Sequence, residues 1–464
     1  MKHLAHRLVA VAVILHGLSS IVFATDADWK VGMASAVITP KEPVMLAGYA
    51  SRNEPFSGVL DELHAKALAL EDATGQRALI LTADLIGFTA EVGDPIRERI
   101  AAEAGIPRER ILLNASHTHT GPALMLQRRE GGTATDEQTA ASIAYTRQLQ
   151  DACVKLAGEA IGRLQAARLS VGGGVVNFPM NRREFTEKGI ILGVNPRGLV
   201  DRGVSVLRIE AADGKLIGVL FRATCHNTTF GSKDNQISGD FAGSAQAHIE
   251  RALPGVQAMF MQGFAGDTNP YPNSLNDPAK RPAVEIARAH GAELGGEVVR
   301  VLKTSLKPVN GPLTIAHDKA KLPLQKRPSQ DELQNLAKTA GSWKKWVAGR
   351  MLAEATANQP PQTHHEAPVS VWQFGGDLTM IGLSGEVVVD YAHLIESAIG
   401  PLNLWLAGYC HDTFGYVPSA RVLDEGGYET RGLYTGGIGF FAPEAEGVLI
   451  EKIRELAKLA GRGE

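Results

Sequence analysis

Residues 111–122 read ILLNASHTHTGP, an apolar run that ends in two histidines and a Gly-Pro turn. Alternate side chains of an extended segment point to the same side, so we expect His117 and His119 to project together from the end of a strand. Two imidazoles that share one pocket can bind a metal ion or transfer protons, whereas a bare His-x-His pattern also occurs in ordinary polar loops. The surrounding sequence has to decide between these two interpretations.

Short β-rich runs and helical patterns alternate on both sides of this segment. The predicted strands cover residues 63–70, 78–85, 203–210, 216–224, 258–262, 369–374 and 378–383. The predicted helices begin at Asp94-Pro95, cover residues 137–164, 283–304 and 442–460, and include one that runs from a Ser329/Glu332 capping box towards Ala357. This alternation predicts an α/β fold in which mixed β-sheets are flanked by helices.

The composition is that of an ordinary globular protein. The chain has 464 residues, of which 44% are apolar and 21% are charged, with a formal net charge of -3. It is long enough for one large domain or two ordinary ones. The charge gives no reason to expect a nucleic acid as partner, so a small-molecule or lipid substrate is expected instead. The three cysteines Cys153, Cys225 and Cys410 allow at most one disulfide and are interpreted as buried structural thiols.

Residues 1–24 have the pattern of a signal peptide: two basic residues, an apolar run over residues 8–18 and small residues before the cleavage point. We therefore expect a secreted or periplasmic protein whose mature chain begins near Thr25. A retained membrane anchor is the alternative, although the run is short for a membrane span. Residues 25–464 are predicted as one domain, in which residues 305–368 form either a helical insertion over the site or a simply packed segment.

Further polar residues follow the predicted strands, where α/β proteins place their sites. His226 comes directly after one strand. Glu386 follows another at the head of a helical stretch, where the helix dipole also favours an acid. Asp240 opens a tight turn into a helix and is expected either to cap that helix or to hold a ligating histidine. Tyr416 and Tyr428 lie in a glycine-rich stretch and could bind a ligand or simply pack.

The order of these motifs resembles the catalytic domain of the neutral, non-lysosomal ceramidases. The resemblance covers nearly all of the mature sequence and rests on Val31-Gly32, Ile38-Thr39-Pro40, Gly48-Tyr49, the His-x-His segment and Tyr428-Glu429. It implies a single zinc ion held by four residues, His117, His226, Glu386 and Tyr416. It also implies a substrate site lined by His119, Arg182 and Tyr428.

The chemistry of the implied set is coherent. Neutral imidazoles, a carboxylate and a phenolic oxygen suit zinc, which lowers the pKa of a bound water towards neutrality. His119 could then move a proton to the leaving group, while Arg182 and Tyr428 could stabilise an oxyanion or hold the polar head of the substrate. The resemblance therefore implies a zinc-dependent hydrolase that cleaves the amide bond of an N-acyl substrate, as in ceramide, to a sphingoid base and a fatty acid.

Two features depart from the family pattern. The loop Gly266-Asp267-Thr268-Asn269-Pro270 places Asn269 where the family has a serine at the reacting centre. Asparagine cannot act as a hydroxyl nucleophile, but its amide can donate a hydrogen bond to an oxyanion or a substrate hydroxyl. The family also carries a C-terminal β-sandwich domain, which we expect this protein to lack because the sequence ends soon after residue 460.

Other functions stay open at this point. A zinc hydrolase of another amide, ester or sugar-derived substrate, or a non-catalytic metal-containing binding protein, would fit the same ligand positions. Peripheral contact with a membrane and the oligomeric state are not decided by the sequence. Two more histidine clusters are given structural roles: His364-His365-Glu366 is predicted as a solvated loop, and His411-Asp412 as support for the metal ligands.

Overall fold

The computed structural model describes residues 28–128, 134–339 and 342–463. The predicted signal peptide, residues 1–24, lies outside this part of the chain. The described residues form an α/β fold in which two β-sheets pack face to face and helices cover their outer sides. The predicted fold class is therefore confirmed.

The large sheet has mixed topology. Its strands, in spatial order, are β12 (Gln257–Gln262), β10 (Leu216–Ala223), β9 (Gly203–Ala211), β6 (Gln165–Val175), β1 (Trp29–Val37), β3 (His64–Asp72), β4 (Arg77–Ala83) and β5 (Ile111–Ala115), while β14 (Lys307–Val309) pairs with β6. Only the outermost pairs, β10 with β12 and β4 with β5, are parallel among these strands.

The second sheet has four strands and three smaller pairings surround it. It runs in the order β15 (Leu313–Pro323), β16 (His364–Phe374), β17 (Leu378–Leu383) and β19 (Leu404–Ala407). The smaller sheets join β13 (Thr268–Pro270), β7 (Pro179–Thr186) and β8 (Gly189–Asn195); β2 (Gly58–Val59) and β11 (Gln236–Ile237); and β18 (Glu386–Val387) and β20 (Tyr416–Val417).

Helices cover both outer faces. They are α1 (Ala90–Ala104), α2 (Asp136–Gly162), α3 (Asp240–Ala252), α4 (Ala283–Leu302), α5 (Gln330–Thr339), α6 (Ser342–Thr356), α7 (Asp390–Ile399), α8 (Ala420–Glu425) and α9 (Ala445–Leu459). Within the described residues, no helix is both long and apolar enough to span a membrane.

The alternation of side chains along each strand explains how the sheets and helices stack in layers. In β3, Ala65, Ala67 and Ala69 pack under α1 and α2, whereas Leu68 and Leu70 point into the core between the two sheets. Successive side chains of a strand face opposite sides, so a strand buried on both faces reads as a continuous apolar run. The order of layers is therefore helices, large sheet, second sheet, helices.

Some local predictions need correction. Helix α1 begins at Ala90, one turn before Asp94-Pro95, because the Asp412 carboxylate accepts a hydrogen bond from the Ala90 N–H (2.9 Å). The Ser329/Glu332 capping box forms, but the helix that it opens, α5, ends at Thr339 and α6 follows it.

The prediction of a solvated loop at His364-His365-Glu366 is wrong. These residues begin strand β16, and His365 is buried against the ring of Phe414 at 4.1 Å between centroids. These polar residues do not have the apolar pattern of a strand. Antiparallel pairing with β15 sets the register of β16. Residues 305–368 consequently contribute β14, β15 and the start of β16 as well as the two helices α5 and α6.

Candidate functional site

The two edges of the large sheet meet at Asn114. Its side-chain amide accepts a hydrogen bond from the Gln262 N–H of β12 (3.0 Å) and donates one to the Gly408 carbonyl just after β19 (2.8 Å). One buried side chain thus joins the carboxyl ends of β5, β12 and β19. The loops that leave these strands carry polar residues, and the junction brings those loops to one place.

Three imidazoles converge there. The Nε2 atom of His117 lies 3.1 Å from Nε2 of His226 and 3.2 Å from Nε2 of His119. His117 has φ 64°, so the segment is not extended as the sequence predicted. The two histidines of the His-x-His motif nevertheless face each other, because the left-handed backbone at His117 turns its ring towards His119.

The other ring nitrogens define the tautomer of two of these histidines. His117 Nδ1 lies 2.5 Å from the Ile86 carbonyl oxygen, and His226 Nδ1 lies 2.6 Å from the Ala265 carbonyl oxygen. A carbonyl oxygen can only accept, so each Nδ1 carries a proton, and in the neutral ring Nε2 then presents a lone pair. Two lone pairs 3.1 Å apart repel each other unless a cation lies between them.

Burial disfavours the charged form of His226 and His119. Burial, followed by the charge of Arg182, lowers the pKa of His226 to about 3. Burial and the neighbouring imidazoles lower the pKa of His119 well below its ordinary value. Neutral imidazole is the form that binds a metal ion, so both rings are in the form that can ligate.

Glu386 completes the cluster. Its Oε2 atom lies 3.2 Å from Nε2 of both His117 and His226, is buried, and has no hydrogen-bond donor among the described residues. A buried carboxylate oxygen without a donor is costly, and so is a pair of facing lone pairs. A divalent cation would satisfy all three atoms, so the residues present fit the implied metal. Glu386 itself lies in strand β18, and helix α7 starts only at Asp390.

Tyr416 lies beside Glu386. The parallel strands β18 and β20 pair these two residues directly. The Tyr416 hydroxyl accepts a hydrogen bond from Nη2 of Arg182 (2.8 Å), and its ring lies 5.6 Å from that of Tyr428 between centroids. Tyr416, the predicted fourth ligand, therefore lies next to the histidine cluster and is hydrogen-bonded to Arg182, a residue of the predicted substrate site.

Arg182 connects the remaining predicted residues. Its Nε donates to Glu429 (2.9 Å) and its Nη1 donates to the Asn269 Oδ1 atom (3.2 Å), while its guanidinium carbon lies 5.4 Å from the Tyr428 ring centroid. Tyr416 and Glu429 hold the pKa of Arg182 well above its ordinary value, although burial opposes this shift. All eight residues predicted from the sequence thus lie in one connected group.

The orientation of Asn269 follows from its contacts. Its Oδ1 atom accepts hydrogen bonds from Arg182 and from the Thr228 hydroxyl (3.2 Å each). Since both partners donate, the amide oxygen must face them, and the Nδ2 group remains as a donor. Asn269 and Tyr428 are partly exposed, whereas His117, His226 and Glu386 are buried, so the accessible side of the group is the side of Asn269 and Tyr428.

The sequence patterns assign no role to several residues that shape the site, although Gly48 and Glu429 lie in motifs of the family resemblance. Gly48 has φ 93°, and a Cβ atom there would lie 2.5 Å from Nδ1 of His119. Tyr409 stacks on the His117 ring at 4.3 Å between centroids and also has a positive φ. Glu429 is fully buried and accepts from both Arg182 and Arg183. These roles depend on packing between segments far apart in the chain, which no local pattern records.

Two predicted supports have other partners. His411 contacts the Ser370 hydroxyl (3.1 Å), and Asp412 caps helix α1, so neither holds a metal-facing imidazole. The Asp240 carboxylate accepts from the N–H groups of Thr229 (2.9 Å) and Phe241 (2.6 Å). The N-cap of α3 is Gly239, with no side-chain capping bond, so the structure shows neither predicted role: Asp240 is the first residue of α3 and anchors the loop after His226. The three cysteines are buried and unpaired, as predicted.

The chain has relatives among known proteins. Residues 29–276 match the family model of the neutral/alkaline non-lysosomal ceramidases, N-terminal part. The neutral ceramidase of Pseudomonas aeruginosa is 27% identical over 286 residues, which are 59% of this chain and 42% of that protein. Neutral ceramidase A of Dictyostelium discoideum is 26% identical over 268 residues, 53% of this chain and 36% of that protein.

The fold has a solved counterpart. The crystal structure of the Pseudomonas aeruginosa neutral ceramidase superposes with a TM-score of 0.71 and 21% identity, covering 93% of this chain and 74% of that one. The sequence matches span less than half the length of the two curated relatives named above. With the matched segment and the shared architecture in agreement, the chain belongs to the neutral/alkaline non-lysosomal ceramidase family.

Proposed function

We propose that this protein is a zinc-dependent amidohydrolase that cleaves the amide bond of an N-acyl substrate, with ceramide as the substrate that family membership suggests. The observation that carries the proposal is the pair of facing Nε2 atoms of His117 and His226, 3.1 Å apart, with the buried Glu386 Oε2 atom 3.2 Å from each. Three such atoms within one buried space are a ligand set for a divalent cation.

His117, His226 and Glu386 would hold the zinc ion, and the phenolic oxygen of Tyr416 is available as a fourth ligand. When bound, zinc supplies a water of lowered pKa and polarises the substrate carbonyl. The carbonyls of Ile86 and Ala265 fix the rings of the two histidines by accepting their Nδ1 protons. The protein therefore presents ligands that need no reorientation when the ion arrives.

His119 is placed to move a proton. It is neutral, its Nε2 lies 3.2 Å from that of His117, and its buried Nδ1 has no partner among the described residues. It can accept a proton at a ring nitrogen and donate it to the leaving amine. His119 is also a candidate third imidazole ligand, because the ligand atoms of all three histidines lie within 4.8 Å of one another. The metal content of the His119→Ala variant separates the two roles.

Arg182, Asn269 and Tyr428 would bind the polar part of the substrate. Arg182 is held by Glu429, and Asn269 is held by Arg182 and Thr228, so both donors have fixed directions before substrate arrives. Preorganised donors of this kind stabilise the oxyanion that forms when the amide carbonyl is attacked. Asn269 contributes its Nδ2–H group, a role that does not require the serine hydroxyl of the family.

Elemental analysis of the purified protein, with hydrolysis of a fluorogenic ceramide analogue, tests the proposal. We expect one zinc ion per chain, its loss in His226→Ala and Glu386→Ala, and turnover that a chelator abolishes. His248→Ala is a matched control, because His248 lies on helix α3 outside the cluster. Absence of zinc from the wild-type protein would refute the metal site; zinc without turnover of any N-acyl amide would refute the amidohydrolase.

We further propose that the protein is exported, with cleavage near Thr25. The support is the order of basic residues, apolar run and small residues in the first 24 positions. Cell fractionation and N-terminal sequencing of the mature protein test this, and a cytoplasmic protein that keeps Met1 would contradict it.

A further inference from the structure

Arg431 lies on the accessible side of the site. Its guanidinium carbon is 3.6 Å from the ring centroid of Tyr428 and 5.9 Å from that of Trp343. Its backbone is fixed as well, because the Trp343 indole N–H donates to the Arg431 carbonyl (2.8 Å). The side chain is only partly buried. An arginine is thus held against the same tyrosine ring that faces Arg182.

The charge of Arg431 is not balanced by a neighbouring acid. Glu429 is the buried carboxylate of this region, and its two oxygens are occupied by Arg182 (2.9 Å) and Arg183 (2.6 Å). Glu425, the next acid along the chain, pairs with Arg183 and Arg421. In the described part of the chain, Arg431 therefore has no carboxylate within ion-pair distance.

The stacking leaves the hydrogen-bonding edge of Arg431 available. A guanidinium that lies 3.6 Å above a ring uses its flat face for the contact, whereas its N–H groups point outward in the guanidinium plane. That fork of N–H groups matches the two oxygens of a carboxylate. The aromatic contacts also remove conformational freedom from a long side chain before the ligand binds, which favours tight binding.

The α5–α6 helical pair holds this arrangement in place. Trp343, on α6, packs against Tyr434 (4.9 Å between centroids), and Tyr434 packs against Tyr416 (5.9 Å). A small apolar core of α5 and α6 with Ile438 anchors the pair to the segment that carries Arg431. The position of Arg431 is therefore defined relative to the predicted metal ligand Tyr416 by a continuous row of aromatic contacts.

We propose that Arg431 binds a carboxylate on the amine side of the scissile bond, so that the preferred substrate is an N-acyl amino acid or a similar anionic N-acyl compound. This inference rests on the proposed function. We place the carboxylate on the amine side of the scissile bond because Arg431 and Arg182 contact the same Tyr428 ring, and Arg182 is proposed to bind the polar head of the substrate. An uncharged head group would leave the positive charge of Arg431 without a partner in the complex.

A matched pair of substrates tests the inference. N-dodecanoyl-serine and N-dodecanoyl-serinol have the same acyl chain and differ in one group, a carboxylate in the first and a hydroxymethyl group in the second. We expect the zinc-loaded wild-type protein to have a kcat/KM about tenfold or more higher for the acid, mainly through a lower KM. In Arg431→Gln this ratio should fall about tenfold, and Arg431→Lys should retain part of it.

Arg350→Gln is the matched control. Arg350 also stacks on a tryptophan, Trp346 (5.3 Å), on the same helical pair, but does not contact Tyr428. The control should keep the wild-type preference for the acid.

Binding to the metal-free protein gives a second readout that needs no turnover. Calorimetry should show tighter binding of N-dodecanoyl-serine than of the serinol to the wild-type protein, and equal binding to Arg431→Gln. Equal kcat/KM for the two compounds in the wild-type protein, or an unchanged ratio in Arg431→Gln, would overturn the inference and leave the amidohydrolase intact. If neither compound is hydrolysed, the proposed function fails, and calorimetry alone decides whether Arg431 binds the carboxylate.

Discussion

The Nε2 atoms of His117 and His226 face each other at 3.1 Å while both Nδ1 protons are committed to backbone carbonyls. Neither ring can turn to relieve the contact without breaking one of those hydrogen bonds. Repulsion between the two Nε2 lone pairs therefore destabilises the arrangement, and a cation between them would remove that repulsion.

Removal of the metal should destabilise the protein. An ion that binds only the folded state at 100 times its Kd adds about 3 kcal/mol to the free energy of unfolding. We expect chelation to lower the melting temperature of the wild-type protein and to leave that of His226→Ala nearly unchanged. Calorimetric melting with and without a chelator measures this difference, and equal melting curves for the wild-type protein would show that no ion is bound in the cluster.

Asn269 should act as a donor. Asn269→Asp keeps an oxygen for Arg182 and Thr228 but lacks the N–H group, so kcat should fall about 100-fold or more, as when one oxyanion donor is removed. Asn269→Ser keeps a hydroxyl donor and should lose less. Steady-state kinetics of both variants on one N-acyl substrate measure the difference. Wild-type kcat in Asn269→Asp would exclude the donor role.

Gly48 should be required for the position of His119. In Gly48→Ala the new Cβ would lie 2.5 Å from His119 Nδ1, so the ring must move, and a shift near 1 Å can lower turnover about 100-fold. Gly75→Ala is the control, because Gly75 has a similar φ of 81° with nothing within 4 Å of the new atom. Both variants should lose about 1 kcal/mol of stability, but only Gly48→Ala should lose activity. Equal activities would show that His119 tolerates displacement.

The buried histidine of strand β16 should make stability depend on pH. Burial lowers the pKa of His365 to about 4, below the ordinary value of 6.5. The unfolded chain therefore binds a proton before the folded one does, and stability that is fully present above pH 6.5 is lost as the pH falls towards 4. The loss attributable to this group is about 3 kcal/mol at 1.36 kcal/mol per pKa unit.

His365→Gln isolates that contribution. The difference in unfolding free energy between the wild-type protein and the variant should shrink by about 3 kcal/mol between pH 7 and pH 4, as measured by urea unfolding at each pH. A difference that does not change with pH would mean that the pKa of His365 is the same in the folded and the unfolded protein.

The sequence predicts the fully apolar strands better than the strands that contain polar residues and glycines. Strands such as Leu378–Leu383 were located to the residue because they are apolar on both faces. Strands β6 to β8 and β1 were missed, since their glycine, arginine and alternating polar residues have no clear apolar period. The polar start of β16 also lacks an apolar period, so the sequence predicts a loop there instead of a strand.

The members of the site could be named because each follows a strand or lies in a family motif. The roles of their supports could not be predicted, because Glu429, Tyr409 and Gly48 act through contacts with residues far from them in the sequence. The two rings of the His-x-His motif lie together as the sequence predicts, but the backbone is not extended. The left-handed conformation of His117 is what brings the two rings together.

The junction at Asn114 has a consequence for how the chain folds. Asn114 and Gln262 are separated by 148 residues, and Gly408 lies 294 residues from Asn114. Contacts between such distant positions form late, because a long loop must close before any of them is made. The proposed ligands His117, His226 and Glu386 come from the loops that this junction gathers. If these residues bind zinc as proposed, zinc uptake is expected among the last steps of folding, and a nascent or truncated chain that lacks Glu386 should release the ion rather than hold it in an incomplete site.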